Sequence, residues 1–528
     1  MQKTMPDICF WIRLIKIDFP EIPSEMKKIG FYILLLSVGF SSMAYAQTVT
    51  EKPRTIVTTD GEIDDVDSFI RMLLYANEFE IEGLVYSSSM WHYKGDGKGT
   101  KFVSEMEMTK KMYGEKTDLR WPGTQWMQDL IDAYEQMHPN LKLHAEGFPT
   151  ADYLRSLVKV GNIDFEGEMD KDTEGSEFIK QKLLDDDLTP LYLQVWGGTN
   201  TIARALKSIE GEFKDTDQWK EVQKKVGTKA ILFTIMDQDA TYKKYIEKAW
   251  PDVKVYYNSE QFWALAYNWK KAIPKVWHQY LQGGFMGEHI IKGHGPLTKM
   301  YYSYGDGQKQ EGDNEHIHGD PTKLDNAQWG TFGKYDFISE GDSPAFLHLI
   351  DVGLDNLEHP EYGGWGGRLQ QSKTNPNRWE DGEEVAEYNY LFQKMDNAFP
   401  QTRWIEDLQL DFAARADWGV KSFEDANHAP VVKLNHPHQI NVKPNGTVQL
   451  SGSATDPDGD ELMYSWWQYI EAGTYSGKVE IENDDAPETT VQIPTDIEKG
   501  ETIHFVLEVT DDKFPYMTRY QRVVLVAK

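Results

Sequence analysis

The stretch from Arg54 to Asp65, RTIVTTDGEIDD, constrains the chain most. Ile56 and Val57 are β-branched and apolar, and Thr55, Thr58 and Thr59 suit a strand as well. Asp60, Gly61 and Glu62 follow. A helix then opens at Asp64 and Asp65, with Val66, Phe69, Ile70, Leu73 and Leu74 at i, i+3, i+4, i+7 and i+8. Ile81 to Tyr86 reads as a second strand. The pattern is a β-α-β unit with Asp60, Asp64 and Asp65 at the carboxyl end of its first strand, the edge at which open α/β sheets bind ligands. Acids in a first helical turn cap free N–H groups and suit the helix dipole. That accounts for Asp64 and Asp65 but not for Asp60. Carboxylates this close repel unless protons are shared or a cation intervenes, and calcium before magnesium is the economical cation.

The D-G-E-I-D-D run resembles the D-x-D-P-G-x-D-D signature of the inosine-uridine-preferring nucleoside hydrolases, with Thr58, Gly61 and Glu62 standing at its first Asp, its Pro and its Gly. The chain resembles more closely a secreted bacterial family described as cellulose-binding proteins with a nucleoside-hydrolase-like domain, over roughly residues 50–425 and the tail. The resemblance implies an open, mainly parallel sheet flanked by helices. Pro190 to Val195 reads as a strand, then Trp196-Gly197-Gly198-Thr199-Asn200 opens a helix, similar to the T-G-P-L-T-N-I-A segment of nucleoside hydrolases. Ser339-Glu340-Gly341-Asp342-Ser343-Pro344-Ala345 is similar to their V-H-D-P-x-A segment, with Gly341 in place of its His.

Carried onto these positions, the family's Ca²⁺ is held by Asp60, Asp65, the Trp196 carbonyl and Asp342, while Asp64 orients a sugar hydroxyl or the water. Asp60 then acts as the base toward a calcium-acidified water that attacks an anomeric carbon. The partner for the leaving group is left open among His92, Asp239 and Glu340. Trp91, His92, Asn200, Asp237 and Asp239 lie at strand ends on the same edge and are candidate substrate contacts. Asp237 and Asp239 serve equally as helix-capping acids. Trp365, between glycines in Gly363 to Gly367, reads either as a rim platform for a sugar ring or as a buried Trp in an irregular turn. The E-F-N segment that grips ribose is not found after the strand Ala230 to Met236. Glu315-His316-Ile317-His318 lacks a further ligand at zinc-site spacing.

Length divides the rest. At 528 residues the chain exceeds one ordinary domain. Residues 1–46 read as an extension and signal peptide, with Met26 as the start, an apolar run from Ile29 to Phe40, and Ala44-Tyr45-Ala46 as the cleavage site. Residues 47–426 form the nucleoside-hydrolase-like domain, with helices expected at 101–113, 124–137, 151–159 and 382–396. Asn427-His428-Ala429-Pro430 marks a boundary. Residues 427–528 read as short strands with a core Trp after the acidic turn Asp456 to Asp460, resembling immunoglobulin- or cadherin-like modules.

The single cysteine, Cys9, falls in the leader, so the mature chain has no disulfide or thiolate chemistry. A net charge of -30 argues against nucleic acid and anionic membranes. The expected protein is exported, to the periplasm, the cell surface or the medium. It meets a carbohydrate or nucleoside, polysaccharide included, and a homo-oligomer stays open. Two functions remain: a calcium-dependent glycosyl hydrolase, or a carbohydrate-binding protein that kept the hydrolase scaffold.

Overall fold

The structure is a computed structural model, and it describes residues 52–528. The proposed leader and its cleavage site lie outside the described residues.

The opening unit forms as its pattern predicts. Strand β1 (Arg54–Thr59) has all six residues buried. Helix α1 (Ile63–Leu74) lays Val66, Phe69, Ile70, Leu73 and Leu74 into the core. Strand β2 (Glu80–Tyr86) pairs parallel to β1, Val57 opposite Leu84. Helix α2 (Trp126–His144) and strand β3 (Val158–Val160) follow, then helix α3 (Glu174–Leu184) and strand β4 (Leu191–Val195). Helix α4 (Asn200–Phe213), strand β5 (Ala230–Ile235) and strand β6 (Lys254–Asn258) complete the parallel part. Two short strands, β7 (Gln370–Gln371) and β8 (Arg378–Glu380), extend the far edge to give the order β3-β2-β1-β4-β5-β6-β8-β7, with only β7 antiparallel.

This order places the site. From β1 the chain moves outward through β2 and β3, then returns to the other side of β1 as β4. The crossover leaves a crevice above the carboxyl ends of β1 and β4, the switch point at which such sheets take ligands. Asp60 directly follows β1 and Trp196 directly follows β4. One apolar core lies on the sheet face covered by α1 and α2, a second on the face covered by α3 and α4.

Helix α5 (Ser343–Leu347) carries Asp342 at its amino end, and helix α6 (Ile405–Trp418) packs Leu408, Phe412 and Ala416 into the first core. The helix expected at 382–396 does not form. A short 3₁₀ turn, Glu383–Val385, leads into a hairpin of Glu387–Asn389 with Lys394–Asp396. Arg368 and Arg403 both bind Glu387, which fixes the segment as extended chain. The helix expected at 101–113 reduces to Glu107–Tyr113, because Phe102–Val103 pairs with Glu115–Lys116.

The C-terminal part is all β. One sheet contains β9 (Val431–Leu434), β11 (Thr447–Thr455), β13 (Ile481–Glu482) and β14 (Glu488–Gln492). The other contains β10 (Gln439–Val442), β12 (Leu462–Gln468), β15 (Thr502–Asp511) and β16 (Thr518–Ala527). Trp466 is buried in the core between them. The acidic turn is a turn: Asp456 Oδ1 accepts the backbone N–H groups of Asp458, Gly459 and Asp460. Tyr469, Val506, Met517 and Tyr520 of this part belong to the first core of the α/β part, so apolar packing is continuous across the junction. Among the described residues no helix is long and apolar enough to cross a membrane.

Candidate metal and ligand site

Two close approaches shape the site. Gly61 adopts φ +80, and a Cβ there would lie 2.7 Å from Pro122 Cγ and from Trp126 Nε1. The position where the hydrolase signature carries Pro therefore requires glycine here. A Cβ on Gly197 would lie 2.9 Å from Asp60 Cγ, and one on Gly198 would lie 2.3 Å from Asp239 Oδ2. Gly197 lets the β4 turn close onto the β1 turn, and Gly198 lets it close onto Asp239 beyond β5.

Oxygens of Asp64, Asp65 and Asp342 come within 4.8 Å of one another. Asp65 and Asp342 are buried and Asp64 is half-buried. Thr59 Oγ1 donates to Asp65, and Ser339 Oγ donates to Asp64 Oδ2 at 3.3 Å. Asp342 Oδ2 has no hydrogen-bond partner among the described residues. Burial and mutual repulsion push the pKa values of all three carboxyls well above the usual range. Three converging hard oxygen donors, one of them orphaned, fit a hard divalent cation. The cluster could hold a metal ion, and the geometry does not identify which.

Asp60 lies beside that trio, and its charge helps raise all three carboxyls. Both its oxygens are buried without hydrogen-bond partners, and Oδ2 lies 3.6 Å from His92 Nδ1. His92 is fully buried among Asp60, Glu62 at 3.8 Å and Asp313 at 3.9 Å. Burial and Arg120 lower its affinity for a proton, but the three carboxylates overcome both and hold its pKa up at about 9. Burial alone would raise the Asp60 carboxyl; the His92 cation brings it below its ordinary value. The expected metal ligand Asp60 thus has a counter-charge from the chain itself, while Asp64, expected to orient a hydroxyl or water, lies in the close trio.

The Trp196 carbonyl accepts from Gln238 Nε2 at 2.7 Å, which leaves it one lone pair for a further ligand. Asp239 turns out to be a helix cap: Oδ2 accepts the Asn200 N–H at 2.9 Å, and Oδ1 accepts from Thr199 and Thr241. Asn200 spends its amide on Ser88 Oγ and the Asn162 carbonyl, while its Oδ1 stays unpaired. Asp237 is buried, with its pKa raised to about 7 by burial and by the Asp239 charge. Trp91 is half-buried beside His92. Two expectations are corrected. Trp365 is only 1% exposed, so it is a packed Trp and not a rim platform. Glu340 is the buried partner of Arg71, at 2.6 Å from Nε, and also accepts from Tyr301 and Ser343, so it has no freedom to serve a leaving group.

Sequence reading missed the residues that pack around Gly61, Glu62 and His92. Arg120 grips Asp313 through two contacts of 3.0 and 2.8 Å, Tyr267 donates to Glu62 at 3.0 Å, and Gln310 donates to the Gly61 carbonyl at 2.6 Å. They come from three separate loops, and no spacing in the sequence links them. Gly341 leaves no room: a Cβ there would sit 2.8 Å from Asp64 Oδ2.

Comparison with known proteins agrees with this frame. No curated protein matches the chain. The solved structure of a nucleoside hydrolase-related hypothetical protein from Saccharophagus degradans, associated with carbohydrate metabolism, is 27% identical over 90% of this chain and 100% of that one, with a TM-score of 0.65. Fibronectin(III)-like modules of Clostridium thermocellum CbhA match 19% of this chain and 47% of theirs at 18% identity, with a TM-score of 0.14 that bears no weight. Residues 447–527 match the C-terminal domain of the cellulose-binding protein Sde0182. Residues 54–369 match the nucleoside hydrolase-like domain of cellulose-binding Sde182, and the chain belongs to that family.

Proposed function

We propose that this chain is an exported carbohydrate-binding protein built on a nucleoside hydrolase-like scaffold, with a Ca²⁺ ion held by Asp64, Asp65 and Asp342. The family match carries the binding reading, and the ligands of that family's name, cellulose and related glycans, are the expected partners. The remodelled pocket supports it. Asp239 is committed to capping α4, Glu340 is committed to Arg71, and the hydrolases' His is Gly341, packed against Asp64.

The orphaned oxygen of Asp342 and the raised carboxyls favour the cation, with the free lone pair of the Trp196 carbonyl as a further donor. When bound, Ca²⁺ supplies the positive charge that lets all three carboxyls ionise and polarises nearby oxygen groups.

One observation favours a second reading, hydrolysis of a glycosyl bond. Asp60 has two oxygens free of hydrogen bonds and beside a cation, the state of a carboxylate able to accept a proton from water. His92 favours the ionised form of that carboxylate, and in this reading Asp64 accepts from a sugar hydroxyl. The test is retention on cellulose together with sugar release from a panel of nucleosides and oligosaccharides, with Ca²⁺ and with chelator. Retention without release establishes the binding protein. Release that vanishes in Asp60→Ala establishes the hydrolase instead, and neither retention nor release would overturn both readings.

A further inference from the structure

A second concave site lies far along the chain from the acidic pocket. Helix α6 and the hairpin before it meet strands β12, β15 and β16 of the C-terminal part around a cleft of about 620 Å³. That volume is within the ~300–1,000 Å³ of ordinary ligand sites. Five aromatic rings line it: Trp277, Tyr390, Trp404, Trp467 and Tyr516. Tyr390 is 60% exposed and Tyr516 42%, at its mouth, while Trp404 is buried at its floor. The exposed apolar side chains Met463, Phe514 and Leu391 lie in the same segments.

The polar groups are fixed in advance. Trp467 Nε1 donates to Glu508 Oε2 at 3.0 Å, and the Arg403 guanidinium lies 4.8 Å from the centre of the Trp467 ring. Arg403 is itself bound to Glu387 at 2.8 Å. Asp407 accepts from Tyr520 at 2.5 Å and from Thr518 at 3.2 Å. Glu406 accepts from Tyr280. The Trp467 indole is thus held in place beside Glu508, with Glu406 and Asp407 in the same lining, and the only cation in the lining already has a carboxylate partner.

That chemistry selects a ligand. The lining offers an anion acidic groups and no free cation, burial raising the Asp407 carboxyl to about 7 and the Glu508 carboxyl in the same direction. A purely apolar segment would cut those half-buried acids off from water. A neutral chain of sugar rings satisfies both: its C–H faces lie on aromatic rings, and its hydroxyls donate to carboxylates. We propose that this interdomain cleft is the glycan-binding site, taking a neutral oligosaccharide of several rings across the junction of the two parts. The inference rests on the carbohydrate-binding reading above and gives that reading a location away from the acidic trio. It also gives the continuous packing between the two parts a role, since neither alone builds the cleft.

The test uses the full chain and cellohexaose, read by calorimetric titration and by quenching of Trp fluorescence. Trp467→Ala and Tyr390→Ala should each weaken binding at least tenfold. Both variants should keep the wild-type Ca²⁺-induced rise in Tm, which shows that the fold and the acidic trio are intact; Tyr390 is largely exposed, so its loss leaves the core unchanged. Wild-type affinity in both variants would overturn the cleft while leaving the carbohydrate-binding reading standing. Absence of binding by the wild-type chain to cellohexaose and to cellulose would overturn both.

Discussion

Glu340→Ala tests whether the acidic trio is held by a buried ion pair. Arg71 projects from α1, seven residues after Asp64, and Glu340 precedes Asp342 by two; both side chains are 0% exposed. Removing Glu340 strands a guanidinium that no water reaches, a loss of ~3–5 kcal/mol. Arg71 keeps the Leu408 carbonyl at 3.2 Å and Gln409, and Phe412 stays 3.9 Å from its guanidinium, which keeps the cost off the top of that range, at about 4 kcal/mol. Unfolding ~480 residues carries an entropy of about 1 kcal/mol/K, so Tm should fall by about 4 °C. Arg71→Met combined with Glu340→Gln removes both charges and keeps an acceptor for Tyr301, and it should recover at least half of the loss. Calorimetry on chelator-treated protein reads the stability, and a Ca²⁺ titration reads the site. A single-variant cost below about 1 kcal/mol, or a double variant no better than the single, would refute the reasoning.

Calcium at 100 times its dissociation constant should stabilise chelator-treated protein by about 2.7 kcal/mol, a rise of about 3 °C, and Asp65→Asn or Asp342→Asn should abolish it; an unchanged rise in both variants would remove the trio as the site. Burial lowers His348 to about 3. The unfolded imidazole titrates near 6.5, so its contribution is complete above that pH and is lost as pH falls from 6.5 toward 3, by about 2 kcal/mol at pH 5. His348→Phe should flatten this part of the urea-unfolding profile between pH 7 and 5, and an unaltered slope would contradict it. The raised carboxyls of Asp64, Asp65 and Asp342 act oppositely: without Ca²⁺ they are protonated in the fold at pH values where the unfolded chain is ionised, so their destabilising effect eases on acidification. Gly61→Ala should cost more than ~1 kcal/mol by chemical denaturation, because its φ of +80 excludes a Cβ that would also meet Pro122 and Trp126.

What the sequence made legible is what local pattern controls. The first β-α-β unit, the strand ending at Val195 and the C-terminal strands each carry their own periodicity, and the structure contains them. The segment 382–396 misled because its apolar spacing suits a helix, while the deciding interaction is distant: two arginines converge on Glu387. Trp365 misled similarly. Flanking glycines suggest an exposed loop, yet those glycines let the backbone pass close to Asn356 and His348 with the indole buried. The acidic trio was half legible. Asp65 and Asp342 lie in recognisable segments, but the close approach of Asp64 to both, and of His92 to Asp60, is set by tertiary packing that no local spacing records.

The charges around the pocket argue for where a cation belongs. Every protein cation nearby already has an acid: Arg71 holds Glu340, Arg120 holds Asp313, and His92 sits among Asp60, Glu62 and Asp313. Subtracting those pairs leaves Asp64, Asp65 and Asp342, with the buried Asp67 behind them on the same helix, as acids with no cation of their own, and only the first three converge. A fold of marginal stability keeps such a group at a cost of several kcal/mol unless something outside the chain compensates. A bound ion compensates there whether or not Asp60 turns over a substrate. Calcium dependence of stability therefore reports on the trio, release of sugar reports on Asp60, and glycan affinity reports on the aromatic cleft, so the three roles can be separated on one protein.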